Sequence, residues 1–247
     1  MLNEILLFIA IGFAAQMIDG AIGMAYGISA TTILLSFGVP AATASASVHA
    51  AEVFTTAASG AAHWRLGNID RSLVWRLAAP GVIGGGLGAF ILATAPGEKI
   101  RPIVASYLFV MGMVILWRAL TKNWQPHKIP RQVGALGFVG GFLDAIGGGG
   151  WGPMVTTTLI GRGAVPRFAI GSAIAAEFFV TTTVAGTFLA TIGLSLWPII
   201  AGLIVGGILA APIAAYATRH LPERPVMIMV AVVVIALSLR TLSIALL

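Results

Sequence analysis

Two stretches constrain this chain more than any others: residues 19–27, DGAIGMAYG, and residues 144–152, DAIGGGGWG. Each sets a carboxylate and several glycines in the middle of an apolar segment, 3–37 and 133–160, longer than the ~20 residues a plain bilayer-crossing helix needs. Hydrocarbon cannot satisfy a freed peptide group, so irregular backbone at that depth must line a cavity or be buried in protein. Both stretches read as helix breaks around a binding site.

Composition puts them at membrane depth. The chain is 58% hydrophobic and only 9% charged, with a mean hydropathy of +1.00, which is too little polar surface for a soluble domain of 247 residues. Six more apolar segments, 41–62, 72–95, 102–120, 168–192, 194–218 and 226–247, complete an all-α polytopic membrane protein. The 31 glycines suit close helix approach in lipid. The net charge of +6 sits at segment ends and in loops, without the basic, aromatic-interleaved patch that nucleic acid requires. With no cysteine, disulfides and thiolate metal sites are excluded. A paired-histidine metal motif and a G-x-S-x-G elbow are also missing, so no metal, cofactor or enzymatic activity is expected.

The halves on either side of the polar linker 121–131, residues 1–120 and 132–247, are repeats. An offset of 125 residues superposes Gly12 on Gly137, Asp19 on Asp144, Gly23 on Gly148, Gly27 on Gly152 and Thr31 on Thr156. It continues through Ser47 on Ser172 and Glu52 on Glu177; a slightly shorter offset then sets Trp75 on Trp197 and Gly84 on Gly206. Duplication of a unit of about four segments is a pattern of secondary transporters.

Charge decides how the repeats are oriented. If every segment crossed once, the 14 Lys and Arg would divide eight to six between the two sides. If each broken segment instead returns to its starting side, Arg65, Arg71, Arg76, Arg118, Lys122, Lys128, Arg131, Arg162, Arg167, Arg219 and Arg224 share one face, leaving Lys99, Arg101 and Arg240 opposite. The positive-inside rule favours the second arrangement, which makes the repeats inverted and places both termini outside. The count concerns parity alone, and leaves re-entrant hairpins and pairs of short spans as alternatives.

The duplicated unit, a glycine-rich break followed by the small-residue helix ATASASVHAAEVFTTAASG and the loop WRLGNID, resembles the TauE/SafE family of sulfite exporters, also called the toluene sulfonate uptake permease group. The resemblance covers essentially the whole chain. It implies a membrane protein of about eight segments that moves sulfite, organosulfonates or other sulfur-containing anions; the helical spans themselves point to an inner or plasma membrane. The first break departs from the glycine-rich pattern, with Met24, Ala25 and Tyr26 standing where the second has Gly149, Gly150 and Trp151.

Of the eight acids, Asp19, Glu52, Asp144 and Glu177 fall within spans and form two repeat-related pairs. Acids at such depth are functional candidates, here for proton coupling. The alternative for the aspartates is capping of the half-helix beyond each break. Ser45, His49, Glu52 and Thr56 recur at i, i+4, i+7 and i+11, one face of a helix. His49, whose repeat counterpart is Ile174, suits proton coupling or anion binding; a structural histidine bonded to Glu52 is the alternative. No Lys or Arg lies mid-span, so an anion would be held by half-helix N-termini and exposed amides. The candidate cradle is Gly23, Gly27, Gly148, Gly149, Gly150 and Gly152, hydroxyls from Thr31, Ser47, Thr156 and Ser172, His49, and Tyr26 and Trp151 as walls.

The leading reading is a proton-coupled secondary transporter of a small inorganic or organic anion, with the bilayer as its setting and a homodimer left open. A passive anion channel and a cation transporter using the four intramembrane carboxylates are the alternatives.

Overall fold

The computed structural model describes residues 2–24, 26–95, 97–121, 133–162, 164–217 and 223–246. Of the polar linker 121–131 only Thr121 is among them, and Lys122, Lys128, Arg131 and Arg219 also lie outside the described residues. The described residues form helices and no strands. The first half holds α1 (Leu2–Ile22), α2 (Tyr26–Ser36), α3 (Ala41–Arg65), α4 (Arg71–Thr94) and α5 (Gly97–Leu120). The second holds α6 (Gly134–Gly147), a π-helical turn (Gly152–Thr156), α7 (Thr157–Gly161), α8 (Pro166–Thr191), α9 (Trp197–Ala217) and α10 (Glu223–Leu246).

Local chemistry sets the ends. Pro40, with extended backbone at ψ 144, precedes α3, and Pro166 occupies the first position of α8, where its missing amide proton is harmless. Asp70 caps α4, accepting the amides of Ser72 at 2.9 Å and Leu73 at 3.2 Å. The Arg240 guanidinium donates to the Ser36 carbonyl at the end of α2, a basic group on a helix C-terminus. Helix α5 begins at Gly97, so Pro102 stands inside it and not at a segment start as the hydropathy pattern suggests.

Helices α4, α8 and α9 are long and apolar enough to cross a membrane; residues 5–20, 102–117, 134–147 and 231–243 form shorter apolar helical stretches. Helix α3 has the length, at 25 residues, but its buried Ser45, His49, Glu52, Thr56, Ser59 and His63 lower its hydropathy.

The halves are interlocked. Helix α1 packs along α9, and α6 along α4; α3 lies against α9, and α8 against α4; α3 also meets α8, and α5 meets α10. Matching α1 with α6, α3 with α8, α4 with α9 and α5 with α10 maps each contact onto another in this set or onto itself. Glycines bring the backbones together: a Cβ on Gly206 of α9 would stand 2.0 Å from the Ile9 carbonyl of α1, and one on Gly84 of α4 2.1 Å from the Phe138 carbonyl of α6. Gly206→Ala is therefore expected to destabilise the protein by about 1–3 kcal/mol through overpacking. An unchanged melting temperature in detergent would show that α1 and α9 do not approach at this point.

Candidate functional site

The site is built where the two breaks meet. Helix α1 ends at Ile22 and the chain turns through Gly23, at φ 74, before α2 opens at Tyr26. Helix α6 ends at Gly147, and Gly148 and Gly149, at φ 64 and 148, carry the chain to Trp151, where helical backbone resumes. Only glycine adopts the Gly149 conformation without strain. The breaks press directly on one another: a Cβ on Gly149 would lie 2.1 Å from the Ile28 nitrogen, one on Gly152 2.4 Å from the Met24 Cα, and one on Gly27 2.7 Å from the Gly149 Cα. The Thr31 hydroxyl joins them by donating to the Gly148 carbonyl.

Each aspartate turns across its break to the helix that follows. One carboxyl oxygen of Asp144 accepts the amides of Gly150 at 2.7 Å and Trp151 at 3.0 Å, and Asp19 accepts the amide of Tyr26, the repeat counterpart of Trp151. A negative group there answers the orphan amides and the positive end of the helix dipole. In this conformation those amides are held by the protein's own carboxyls.

The other oxygen of Asp144 reaches His49 Nε2 at 3.1 Å. Across the ring, His49 Nδ1 lies 2.8 Å from the Ser45 carbonyl and 3.2 Å from the Ser45 hydroxyl, which itself donates to the Ala145 carbonyl at 2.7 Å. A carbonyl only accepts, so Nδ1 carries a hydrogen. The contact between Nε2 and Asp144 then needs a second proton, held either by the imidazole or by the carboxyl. The pair is a proton-holding unit joining the two halves. Its partner is Asp144 of the other half and not Glu52 one turn away, because the bent chain swings Asp144 onto α3.

Glu52 flanks this pair. One of its oxygens lies 3.8 Å from His49 Nε2 and, although fully buried, has no hydrogen-bond partner. The other sits at the crossing, 2.8 Å from where a Cβ on Gly27 would be. Donor atoms of His49, Glu52 and Asp144 all fall within 4.8 Å of one another. Glu177 on α8 is buried and feels the charges of Asp19, Glu52 and Asp144. One electrostatic centre thus gathers all four acids.

The remaining candidates divide. Tyr26 and Trp151 are buried walls of the crossing, Tyr26 donating to the Leu203 carbonyl at 3.1 Å and Trp151 to the Ala173 carbonyl at 3.0 Å. The Thr156 hydroxyl is buried and unpartnered in the turn beyond the second break. Ser47 is not brought to the crossing: it donates to the Thr43 carbonyl of its own helix at 2.8 Å. Ser172 is not either, accepting the Asp70 amide at 2.8 Å and so fastening the α3–α4 turn to α8. Sequence reading missed Tyr107, whose ring is wedged 2.1 Å from where a Cβ on Gly147 would stand. The available signal was a tyrosine, one of three in the chain, in the largely apolar middle of α5. It also missed Gln16, Ser59, His63 and Asn68, all buried polar residues.

A polytopic helical bundle with intramembrane carboxyls converging on two broken helices defines the class: an integral membrane protein of the transporter kind. The family described as sulfite exporter TauE/SafE matches residues 8–241, and the chain belongs to that family. It is 39% identical over 251 aligned residues to the probable membrane transporter protein YtnM of Bacillus subtilis (strain 168), covering 98% of this chain and 83% of that protein. No solved structure matches it significantly.

Proposed function

We propose that the protein is a secondary transporter of a small sulfur-containing anion, of the sulfite or organosulfonate class, whose movement is linked to protons. The observation that carries this reading is the 3.1 Å contact of His49 Nε2 with Asp144, beside a buried Glu52 carboxyl oxygen that has no hydrogen-bond partner, all at the crossing. A buried carboxyl that is ionised repels an anion; protonated, it donates a hydrogen bond and travels with it as a coupling proton. At least one of Glu52 and Glu177 is neutral while substrate is bound. The anion is held at the two breaks, where Gly23, Gly27, Gly148, Gly149, Gly150 and Gly152 bring backbone to the crossing and Thr31 and Thr156 supply hydroxyls. It reaches the amides there as Asp19 and Asp144 release them, which makes substrate binding and carboxyl protonation a single exchange.

The two halves act as inverted repeats, residues 1–120 and 132–247, that rock about the crossing to open one side at a time. The exchange of helix partners between halves supports the duplication, and the eleven-to-three distribution of Lys and Arg supports inversion, with both termini outside an inner membrane. The family supports the sulfur-containing class of substrate.

The test is Glu52→Gln, reconstituted in vesicles with sulfite as probe. The expected outcome is transport that falls by about two orders of magnitude or loses its pH dependence. Unchanged, still pH-dependent flux overturns the reading. One observation favours cation transport instead: the His49, Glu52 and Asp144 donor atoms converge as ligands of a divalent ion would. Replacing Asp19 and Asp144 with Asn abolishes flux of such a cation, whereas an anion carrier keeps its uncharged cradle and loses only the pH dependence of its flux.

A further inference from the structure

The polar face of α3 does not stop at Thr56. It runs through Ser45, His49, Glu52, Thr56, Ser59 and His63, eighteen steps along the helix and so about 27 Å at 1.5 Å per residue, comparable to the hydrocarbon thickness of a bilayer. All six are buried. The equivalent line on α8 is broken: its counterparts of Ser45, His49, Ser59 and His63 are Ile170, Ile174, Val184 and Phe188. The polar line therefore belongs to one half.

Its two ends differ. On the Ser45 side the Ser45 hydroxyl and both ring nitrogens of His49 have protein partners, and one Glu52 oxygen does not. On the His63 side buried polar atoms are left without one: both side-chain polar atoms of Gln16, the Ser59 hydroxyl and the Asn68 side-chain oxygen. These cluster around Gly20, the neighbour of Asp19. A Cβ on Gly20 would lie 3.3 Å from Gln16 Nε2 and 3.4 Å from the Ser59 hydroxyl. His63 reaches the Gly20 carbonyl through Nε2 at 3.1 Å and takes the Asn68 amide on Nδ1 at 3.2 Å. The carbonyl fixes the hydrogen on Nε2, so His63 passes a hydrogen-bond chain from Asn68 inward. Asn68 itself is buried, next in the chain to the exposed Gly67 of the α3–α4 turn.

Buried polar groups without partners are costly, and several gathered together are the usual signature of bound water. We propose that Gln16, Ser59, His63 and Asn68 hold a chain of water molecules linking the buried carboxyls to the membrane face of the α3–α4 turn, the route by which protons reach the centre. Arg65, Arg71 and Arg76 flank that turn, so the route opens on the more positively charged face. No charged residue of α9 faces the cluster; its contact there is Ala214. Proton traffic through the first half alone gives a symmetric pair of halves a functional polarity. The purpose assigned to the route rests on the proton-linked reading above, whereas its water does not.

The experiment uses solubilised full-length protein without substrate. Infrared spectroscopy follows the C=O stretch of protonated carboxyls, which shifts on exchange into deuterium oxide. The variants carry the side chains that the other half already uses, Ser59→Val and His63→Phe, with Thr241→Val on α10, whose hydroxyl donates to the Leu237 carbonyl of its own helix, as a control. Exchange of the carboxyl band is expected to slow by about tenfold or more in each of the first two variants and to stay at the wild-type rate in the control. Equal rates in all four proteins, with the circular dichroism melt confirming that each is folded, overturn the water route and leave the proton-linked reading standing. Loss of the band from wild type would count instead against the proton-linked reading, because no buried carboxyl would then be neutral. If His63→Phe does not fold, Gln16→Leu in the same cluster decides the matter by the same comparison.

Discussion

Gly149→Ala is expected to abolish transport and to destabilise the protein by roughly 2–6 kcal/mol, from about 1–3 kcal/mol of backbone strain and a similar overpacking term. Gly149 sits at φ 148, outside the range other residues tolerate, and a methyl there would drive into the backbone of Gly27 and Ile28, 2.3 and 2.1 Å away. None of those neighbours is a side-chain end that could swing aside. Gly38→Ala is the control: it shares a positive φ of 88, but nothing lies within 4 Å of the added carbon. It should show the conformational term alone and keep transport. Thermal melting and transport of the two variants together separate strain from collision at the crossing.

The second large effect is at Asp144. Asp144→Ala strips the Gly150 and Trp151 amides and His49 of their shared acceptor and is expected to cost about 3–5 kcal/mol, the usual result of leaving one member of a buried charged pair alone. Asp144→Asn is more informative. Its oxygen can still accept the two amides and its NH2 can donate to His49 Nε2, so the fold survives while the proton between the pair is gone. A well-folded Asn variant without pH-dependent transport is the expected result. A folded Asn variant with wild-type pH dependence would mean that this pair does not handle the coupled proton.

How much of this was legible in sequence depended on which physical signal carried it. The breaks were readable, because an acid beside glycines in an apolar segment has few structural explanations, and both appear as interruptions at Gly23 and Gly148–Gly149. The repeat pointed to which residues would be equivalent, down to Tyr26 and Trp151, whose amides each donate to the preceding aspartate. What sequence could not supply was the partner of a residue across the repeat. His49 pairs with Asp144, 95 positions away, whereas local spacing offered only Glu52. Hydroxyls misled for a related reason: Ser47 satisfies its own helix, as serine commonly does in apolar surroundings, and nothing in its spacing distinguishes it from Thr31, which bridges the breaks. Ser59 and His63 continue the α3 stripe in register, but nothing in their spacing indicates the orphaned polar atoms of Gln16 and Asn68 that the fold brings beside them.

The most direct measurement of the central claim is sulfite uptake into proteoliposomes under an imposed proton gradient, comparing wild type with Glu52→Gln. The account predicts that wild type accumulates the anion beyond equilibrium when the proton gradient is present, stops at equilibrium when it is dissipated, and loses the accumulation in the variant. Flux that only ever follows the anion's own gradient, or accumulation that survives Glu52→Gln unchanged, would contradict it.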